Sequence, residues 1–401
     1  MTMMHTKLLR DLASVDPIPV SGIERAKAIM QSGLLFRYGE FGSEHAESTL
    51  LEAEFAAYVG RRYAVALNSC GCSLFIALKC LGVESGDKVL MNAFTLAPVP
   101  GAVAHAGAQA VFLESTEDLL VDLDDLKLKS RSGAKVLLLS HMRGHTADLD
   151  AVMTLCNELG IQVIEDCAHT MGGKWNNQFT GTFGVVGCFS SQTYKHMNSG
   201  EGGILVTDDD DIAAKAILYS GSYMLYRQHV ARPADAVFEK HKYNIPNCSM
   251  RMSNLAAAVA RPQIGLLPER TLIWNERHDR LAQNLREIKD VVLPKRLKGE
   301  SYVASSIQFR VVGLNDTQFK QFIALAAERR VKLKWFGHVE PVGFTSTYLD
   351  WKYSNAGQML PRTTKIMKQL CDMRIPLSLT LDECDLIVRI IAESLAAVKS
   401  I

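Results

Sequence analysis

The chain has 401 residues, long for one domain and right for two, or for one large and one smaller. Hydrophobic residues make up 48% and charged residues 22%, enough apolar surface to bury a sizeable core. With 44 Lys and Arg against 43 Asp and Glu, the net charge is +1, which lacks the basic footprint that nucleic acid or an anionic membrane needs.

The cysteines (70, 72, 80, 156, 167, 188, 248, 371 and 384) are odd in number and mostly sit in apolar runs. No pair has zinc-finger or thioredoxin spacing, so no metal site is expected and reduced thiols in a cytoplasmic protein are the natural reading. The opening stretch MTMMHTKLLRDLASVD lacks the apolar core and small-residue cleavage site of a signal peptide. No apolar run is long enough to span a membrane.

From about residue 60 short apolar runs alternate with helical ones. Arg62 to Asn68 reads as a buried strand and Ser73 to Leu81 as an apolar helix. Strands follow at Lys88 to Met91, Ala110 to Leu113 and Lys135 to Ser140, then a helix at Ala147 to Leu159. Further strands are expected at Gln162 to Glu165, Val185 to Ser190 and Gly203 to Val206. This alternation predicts a mostly parallel sheet covered on both faces. A helix is expected over Asp208 to Leu218, then long loops from Tyr219 to Ser249. A helical region over Ser253 to Ile288 is interrupted near Pro262 and Pro268. The last hundred residues mix a strand (Ser306 to Val312) with helices (Thr317 to Arg329, Leu381 to Val398). The expected division is a large α/β domain over 1–264 and a smaller α+β domain over 265–401.

Ligands of open α/β sheets sit beyond the carboxyl ends of the strands, and three segments fall there. Asn68 to Ser73 is a small-residue turn between strand and helix, a place where backbone amides can cup a phosphate, or simply a tight turn. Asp166 ends an apolar strand; a buried carboxylate there needs a cation, a protonated ring nitrogen, or a structural partner such as a helix cap. His169 nearby, taken alone, reads as a structurally satisfied histidine more readily than as a catalytic one. Lys195 lies between an apolar strand and the turn Ser199-Gly200-Glu201-Gly202-Gly203, flanked by small polar residues, where an ordinary lysine would be a solvated surface group. The Ser191-to-Lys195 spacing does not fit S-x-x-K, and the glycines do not fit G-x-G-x-x-G. Together the segments offer what pyridoxal phosphate needs: a lysine for a Schiff base, an acid for the ring nitrogen and a phosphate cup.

At this point the chain resembles the sugar aminotransferase family typified by DegT, DnrJ and StrS, which are fold-type I pyridoxal phosphate enzymes. The resemblance runs from about Phe36 to Val398 and is carried by VIEDCAH (163–169), GTFGVVGCFSSQTYK (181–195) and SGEGG (199–203). VALNSCGCSLFIALKCLGVESGDKVLMNAFT (65–95), RMSNLAAAV (251–259) and IPLSLTLDE (375–383) support it. It implies a large mostly parallel αβα sheet domain and a smaller C-terminal α+β domain. It also implies roles: Lys195 as the Schiff-base lysine, Asp166 beneath the pyridine nitrogen, His169 on the cofactor's hydroxyl side and Ser190 on the phosphate. The backbone of Gly71 and Cys72 would form the amide cup. Family members are dimers with active sites at the subunit interface, and the Ser249–Arg251 region corresponds to a segment reaching the neighbouring subunit's phosphate.

The chain departs from the family pattern at Gly71, where a hydroxyl is usual, at Leu96, where an aromatic ring often stacks on the cofactor, and at Ser249, usually asparagine. The implied reaction moves an amino group from an amino acid, L-glutamate in much of the family, to a keto or aldehyde sugar or sugar-like acceptor. Amino-sugar, cell-surface polysaccharide and natural-product biosynthesis are its settings. Lys195 is the proton carrier, and the cofactor alternates between its PLP and PMP forms. Two other readings remain: a sugar dehydratase, whose relatives carry histidine at the position of Lys195, and a cofactor-binding homologue without turnover. Phe36-Arg37-Tyr38, Tyr219 to Ser249 and Trp335 to Trp351 are expected to shape the substrate pocket, with Arg37, Arg143 and Arg227 as candidates for a carboxylate or phosphate. The Phe36-Arg37-Tyr38 segment and the late tryptophan loop look somewhat like the 8-amino-octulosonate branch of the family.

Overall fold

The computed structural model describes residues 6–42, 44–354 and 357–399, so the first five residues of the opening stretch lie outside it. In chain order its strands are β1 (Tyr63–Leu67), β2 (Lys88–Asn92), β3 (Gln109–Leu113), β4 (Val136–Ser140), β5 (Gln162–Asp166), β6 (Lys174–Trp175) and β7 (Gln178–Phe179). They continue with β8 (Val186–Ser190), β9 (Gly203–Thr207), β10 (Val291–Val292), β11 (Glu300–Ser301), β12 (Ser306–Val311), β13 (Lys334–Trp335) and β14 (Leu370–Arg374). Seven of them form the central sheet in the order β1-β9-β8-β5-β4-β2-β3. Strands β3, β2, β4, β5 and β8 pair in parallel, and β9 runs against both of its neighbours.

The sheet is apolar on both faces because successive side chains alternate between two packed layers. In β1, Val65 and Leu67 join one core with Leu74 and Ile76 of the helix Cys70–Cys80 and Ile217 of the helix Asp210–Ser220. Ala64 and Ala66 join the opposite core with Leu51 and Phe55 of the helix Glu47–Val59. The same alternation runs along β4, where Leu137 and Leu139 face Leu149 and Val152 of the helix Leu149–Leu159. This is the expected doubly covered α/β sheet, with element ends displaced by at most three residues.

A second sheet, order β10-β12-β14-β13, is antiparallel throughout and packs on the helices Leu267–Leu285, Asp316–Glu328 and Leu381–Lys399. The expected division at 264/265 falls in the 3-10 segment Arg261–Leu266 that leads into the first of these helices. Leu8 and Leu12, from the start of the chain, are buried in this C-terminal core. β11, β6 and β7 form a small third sheet that ties the C-terminal part to the connection between β5 and β8.

One boundary shift bears on function. The helix after β1 begins at Cys70, three residues before the expected start, because Ser69 is its N-cap. Ser69 is extended (φ −163°, ψ 161°), and its Oγ accepts the amide hydrogen of Cys72 at 3.1 Å, a contact worth about 1 kcal/mol. The proposed cup is therefore the first turn of a helix. It is pressed against the start of β9: a Cβ on Gly203 would fall within the van der Waals envelopes of the Ser69 carbonyl and the Cys70 nitrogen. Gly71, by contrast, has room, since its Cβ would meet Pro98 Cβ at 3.7 Å and Ser69 Oγ at 3.8 Å. Gly203→Ala should lower unfolding free energy by about 1–3 kcal/mol, as overpacking does. Gly71→Ser should leave it nearly unchanged. Urea unfolding followed by circular dichroism measures both.

Candidate active site

The carboxyl ends of β1, β2, β4, β5 and β8 open on one cavity of about 690 Å3, within the size range of small-molecule sites. Asp166 closes β5 and is 4% exposed. Its Oδ2 accepts the Ser140 hydroxyl at 2.7 Å and its Oδ1 the Ala168 amide at 3.1 Å. Ser140 is itself fixed from behind. Asn92, at the end of β2, accepts the Ser140 amide and donates to its carbonyl, and Thr95 donates to the Ser140 hydroxyl at 2.9 Å. The Cys70 thiol lies 3.9 Å from Asp166 Oδ1, and burial pushes its pKa well up, so it stays protonated.

Lys195 sits in the connection from β8 to β9. Backbone bonds Ser191 to Gly202 and Thr193 to Gly200 close that connection, and a bond from the Lys195 amide to the Gln192 carbonyl turns it. His196 next to it is buried edge-on against Trp274, with centroids 5.1 Å apart, which anchors the backbone from behind. The Lys195 amine lies 2.7 Å from Nε2 of His169. Burial and then the neighbouring Arg143 charge lower its pKa to about 8, against an opposing pull from Asp166. Burial, together with Lys195 and Arg143, holds His169 well below the usual imidazole range, so its ring is neutral and Nε2 accepts from the amine.

Of the expected residues, Gly71, Leu96, Asp166, His169, Ser190 and Lys195 all line this cavity. Cys72 does not, and its amide is already taken by Ser69. No acceptor among the described residues takes the amides of Cys70 and Gly71 in the same helix turn. A helix's first amides have no acceptor within it, so these can meet an anion. Arg251 also stands outside the cavity, with Nη1 donating to the Gly221 carbonyl at 2.9 Å and its guanidinium over the rings of Phe36 and Tyr223.

The three expected arginines part company. Arg37 is fully buried, paired with Glu52 at 2.6 Å in a cluster with Tyr38 and His229, and takes no part in the cavity. Arg227 is exposed and paired with Asp235. Arg143 lines the cavity, with Nη2 2.8 Å from Oδ2 of the fully buried Asp372. Trp335 and Trp351 are buried packing residues, while Gly343, Phe344 and Ser346 between them reach the cavity wall. Sequence reasoning missed Ser140, Lys334, Asp372 and Arg374; the charged residues inside the apolar runs VKLKWF and LCDMRIPL were the available signal.

A half-buried lysine, a buried carboxylate and a helix N-terminus around one cavity, on a mostly parallel sheet with an α+β partner, make the architecture fold-type I, that of pyridoxal phosphate aminotransferases. The chain belongs to the DegT/DnrJ/EryC1/StrS aminotransferase family, whose model matches residues 21–392. It is 30% identical over 245 residues to the spore coat polysaccharide biosynthesis protein SpsC of Bacillus subtilis, covering 61% of this chain and 62% of that one. It is also 30% identical over 241 residues to the GDP-perosamine synthase of Vibrio cholerae, 60% of each chain. The matches thus span about three-fifths of these relatives' length. The fold is shared with 3-amino-5-hydroxybenzoic acid synthase, at TM-score 0.81 and 22% identity, over 97% of this chain and 100% of that one. Pyridoxal phosphate is the cofactor of this family and fold, and the site fits it: an amine able to lose its proton, a fixed carboxylate and amides without acceptors share one cavity. No helix among the described residues is long and apolar enough to cross a membrane.

The lowered pKa has a direct readout. Only the neutral amine attacks an aldehyde label, so in cofactor-free protein borohydride-trapped labelling of Lys195 should rise with pH about a midpoint near 8. Arg143→Met should move that midpoint up, because it removes a charge that disfavours the ammonium. Mass spectrometry of the labelled peptide across pH measures it, and a midpoint in the ordinary lysine range contradicts the electrostatics described here.

Proposed function

We propose that the protein is a pyridoxal phosphate-dependent aminotransferase. It moves the amino group of an amino acid, L-glutamate by family likeness, to a keto or aldehyde sugar or sugar-like acceptor. The observation that carries this reading is the Lys195 amine, poised by burial near neutrality and sharing a cavity with Asp166. Relatives named for spore coat polysaccharide biosynthesis and for GDP-perosamine synthesis support a sugar as acceptor.

Bound in the cavity, the cofactor would supply an aldehyde that condenses with amines and a ring that withdraws electrons from the substrate carbon bearing the amine. The chain's residues do the rest. Lys195 Nζ would hold the cofactor and, once free, carry a proton from that carbon; an amine with a pKa near 8 can both accept and return it. His169 accepts a hydrogen bond from that amine and so orients it. Asp166, aimed by Ser140 and Ala168, would keep the ring nitrogen protonated. The Gly71 amide and the Ser190 hydroxyl would take the phosphate, and Leu96 would cover the ring without an aromatic face. Cys72 would then act through the cap that starts the helix. Arg251, outside its own chain's cavity, is read as reaching the phosphate of a second copy, with the protein working as a homodimer in the cytoplasm. Large and smaller domains divided near residue 265 would form the two walls.

Lys195→Ala should abolish the visible absorbance of the lysine-bound cofactor and cut glutamate-dependent amino transfer by at least roughly 10²–10⁴-fold, the usual contribution of a positioned proton carrier. Absorbance titration and a single-turnover assay with glutamate measure these. A variant that keeps both would falsify the reading.

A further inference from the structure

Beyond the groups already assigned, the cavity holds more positive charge than a cofactor phosphate explains by position. In the sheet order the phosphate cup follows β1 and Ser190 ends β8, while Asp166 of β5 lies between them and β4. Arg143 follows β4, on the far side of Asp166 from the cup. There it meets the second sheet. Asp372 of β14 is the cross-strand partner of Gln308 on β12 and of Lys334 on β13. Gln308 donates to Asp372 Oδ1 at 2.7 Å. Lys334 Nζ, at 3.1 Å, and Arg143 Nη2, at 2.8 Å, both converge on Oδ2.

One carboxylate therefore serves two cations, and the group carries a net charge of about +1 at the wall of a partly desolvated cavity. The Arg143 guanidinium is incompletely satisfied, since its buried Nε has no hydrogen-bond partner among the described residues. Its backbone is also held in the left-handed region (φ 57°), followed by Gly144 at φ 79°. Gly144 is pressed to the Val303 carbonyl, which a Cβ there would approach to 2.8 Å. A non-glycine residue in that region costs about 1 kcal/mol or more, so the chain accepts strain to hold this guanidinium in the cavity wall. Arg374 lines the same wall and adds to the excess.

We infer that Arg143 and Lys334, set by Asp372, form a subsite for the carboxylate of a substrate whose reacting carbon lies at Lys195. The inference deepens the aminotransferase reading and rests on it for the position of the reacting carbon. Arginine suits a carboxylate because its planar fork can give two parallel hydrogen bonds, and Lys334 adds a point charge beside it. An amino-acid donor carries such a group, and so does a sugar acid acceptor. Asp372 keeps the two cations charged and apart until the substrate arrives.

The test is calorimetric binding to the cofactor-loaded full chain, using probes that carry no amine and cannot turn over. Glutarate stands for the amino-acid donor, with glutaramide as its neutral counterpart; glucuronate stands for a sugar acid, with glucose as its counterpart. At least one carboxylate should bind more tightly than its counterpart. Arg143→Met and Lys334→Met should each weaken that binding roughly 10- to 100-fold, the range for losing a charge-assisted hydrogen bond. Arg143→Lys should restore part of it. The arm that responds names the source of the carboxylate. The inference is overturned if both carboxylates bind no better than their neutral counterparts, or if both methionine variants bind as the parent does. Borohydride-trapped labelling of Lys195 in each variant confirms that the cavity is formed, and Lys334→Met serves alone if Arg143→Met does not fold. Carboxylate binding that depends on Arg143 without glutamate turnover would sink the proposed reaction while leaving the subsite standing.

Discussion

Two consecutive buried carboxylates at the end of β5 set the terms for everything around them. A strand sends neighbouring side chains to opposite faces, so Glu165 and Asp166 cannot share partners, and each needs its own set of donors. Glu165, fully buried, takes the amides of Gly181, Phe183 and Gly184 at 2.8 Å each and the His141 ring at 3.0 Å. Burial alone would raise its pKa; these donors outweigh it and lower the pKa instead. The same bonds fold the 181–184 turn against β5 and so deliver β8 beside it, which brings Ser190 and Lys195 to the cavity. His141, Glu165 and Cys167 come close enough together to hold a metal ion, but Glu165 is already committed to these four donors. On the other face, among the described residues, Asp166 receives Ser140, Ala168 and the weak thiol of Cys70, a lighter set of donors than Glu165 has.

The second sheet repeats this logic with full cations as the partners. Asp372 is buried in the middle of β14, where a lone carboxylate would be untenable. Arg143 and Lys334 outweigh the desolvation and keep its pKa low. Both cations must then stand near Lys195, and their field helps push the Lys195 proton off. Burial lowers the Lys334 pKa as well, with Asp372 opposing it. A structural requirement of one sheet thus tunes the amine held by the other. Leu8 and Leu12 reinforce the arrangement, since the chain's opening residues pack in the C-terminal core.

Most of the central sheet was legible because its strands are five-residue apolar runs bounded by turn residues, and β1, β4, β8 and β9 are buried along their whole length. The cluster of Asp166, His169, Ser190 and Lys195 was legible for a related reason: each stands where such a run stops. The helices Val20–Ser32 and Glu47–Val59 were not anticipated. The second buries Glu47, Ser48, Thr49 and Glu52 along with its apolar residues, so polar and apolar positions do not separate into faces. The wall made by Arg143, Lys334 and Asp372 was legible only in part. Lys334 lies in a two-residue strand, too short for any alternation, and Asp372 interrupts an apolar run for reasons visible only across the sheet. Arg143 could be suspected from its charge alone, but nothing in its neighbours separated it from Arg37, which is spent on Glu52.

The departures from the family pattern acquire physical content in this setting. Gly71 withholds a hydroxyl from the cup although a side chain would fit there, so the loss is not forced by packing. Leu96, which lines the cavity, would give a bound ring an aliphatic wall. Under the proposed reading, both changes would reduce the contacts that hold a cofactor by its phosphate and its π-face. What the cavity has in compensation is electrostatic: several cations line it, against the acids Asp166, Glu201 and Asp372. An anionic cofactor, and the carboxylate substrate inferred above, would both gain from that excess. The same excess keeps Lys195 partly unprotonated before either arrives. Lys195 owes its low pKa first to burial and then to Arg143, so ligands that neutralise the cations would also raise the basicity of the Lys195 amine. If the proposed subsite recognises a charged substrate, that recognition at one wall and proton affinity at the other are a single coupled property of the cavity.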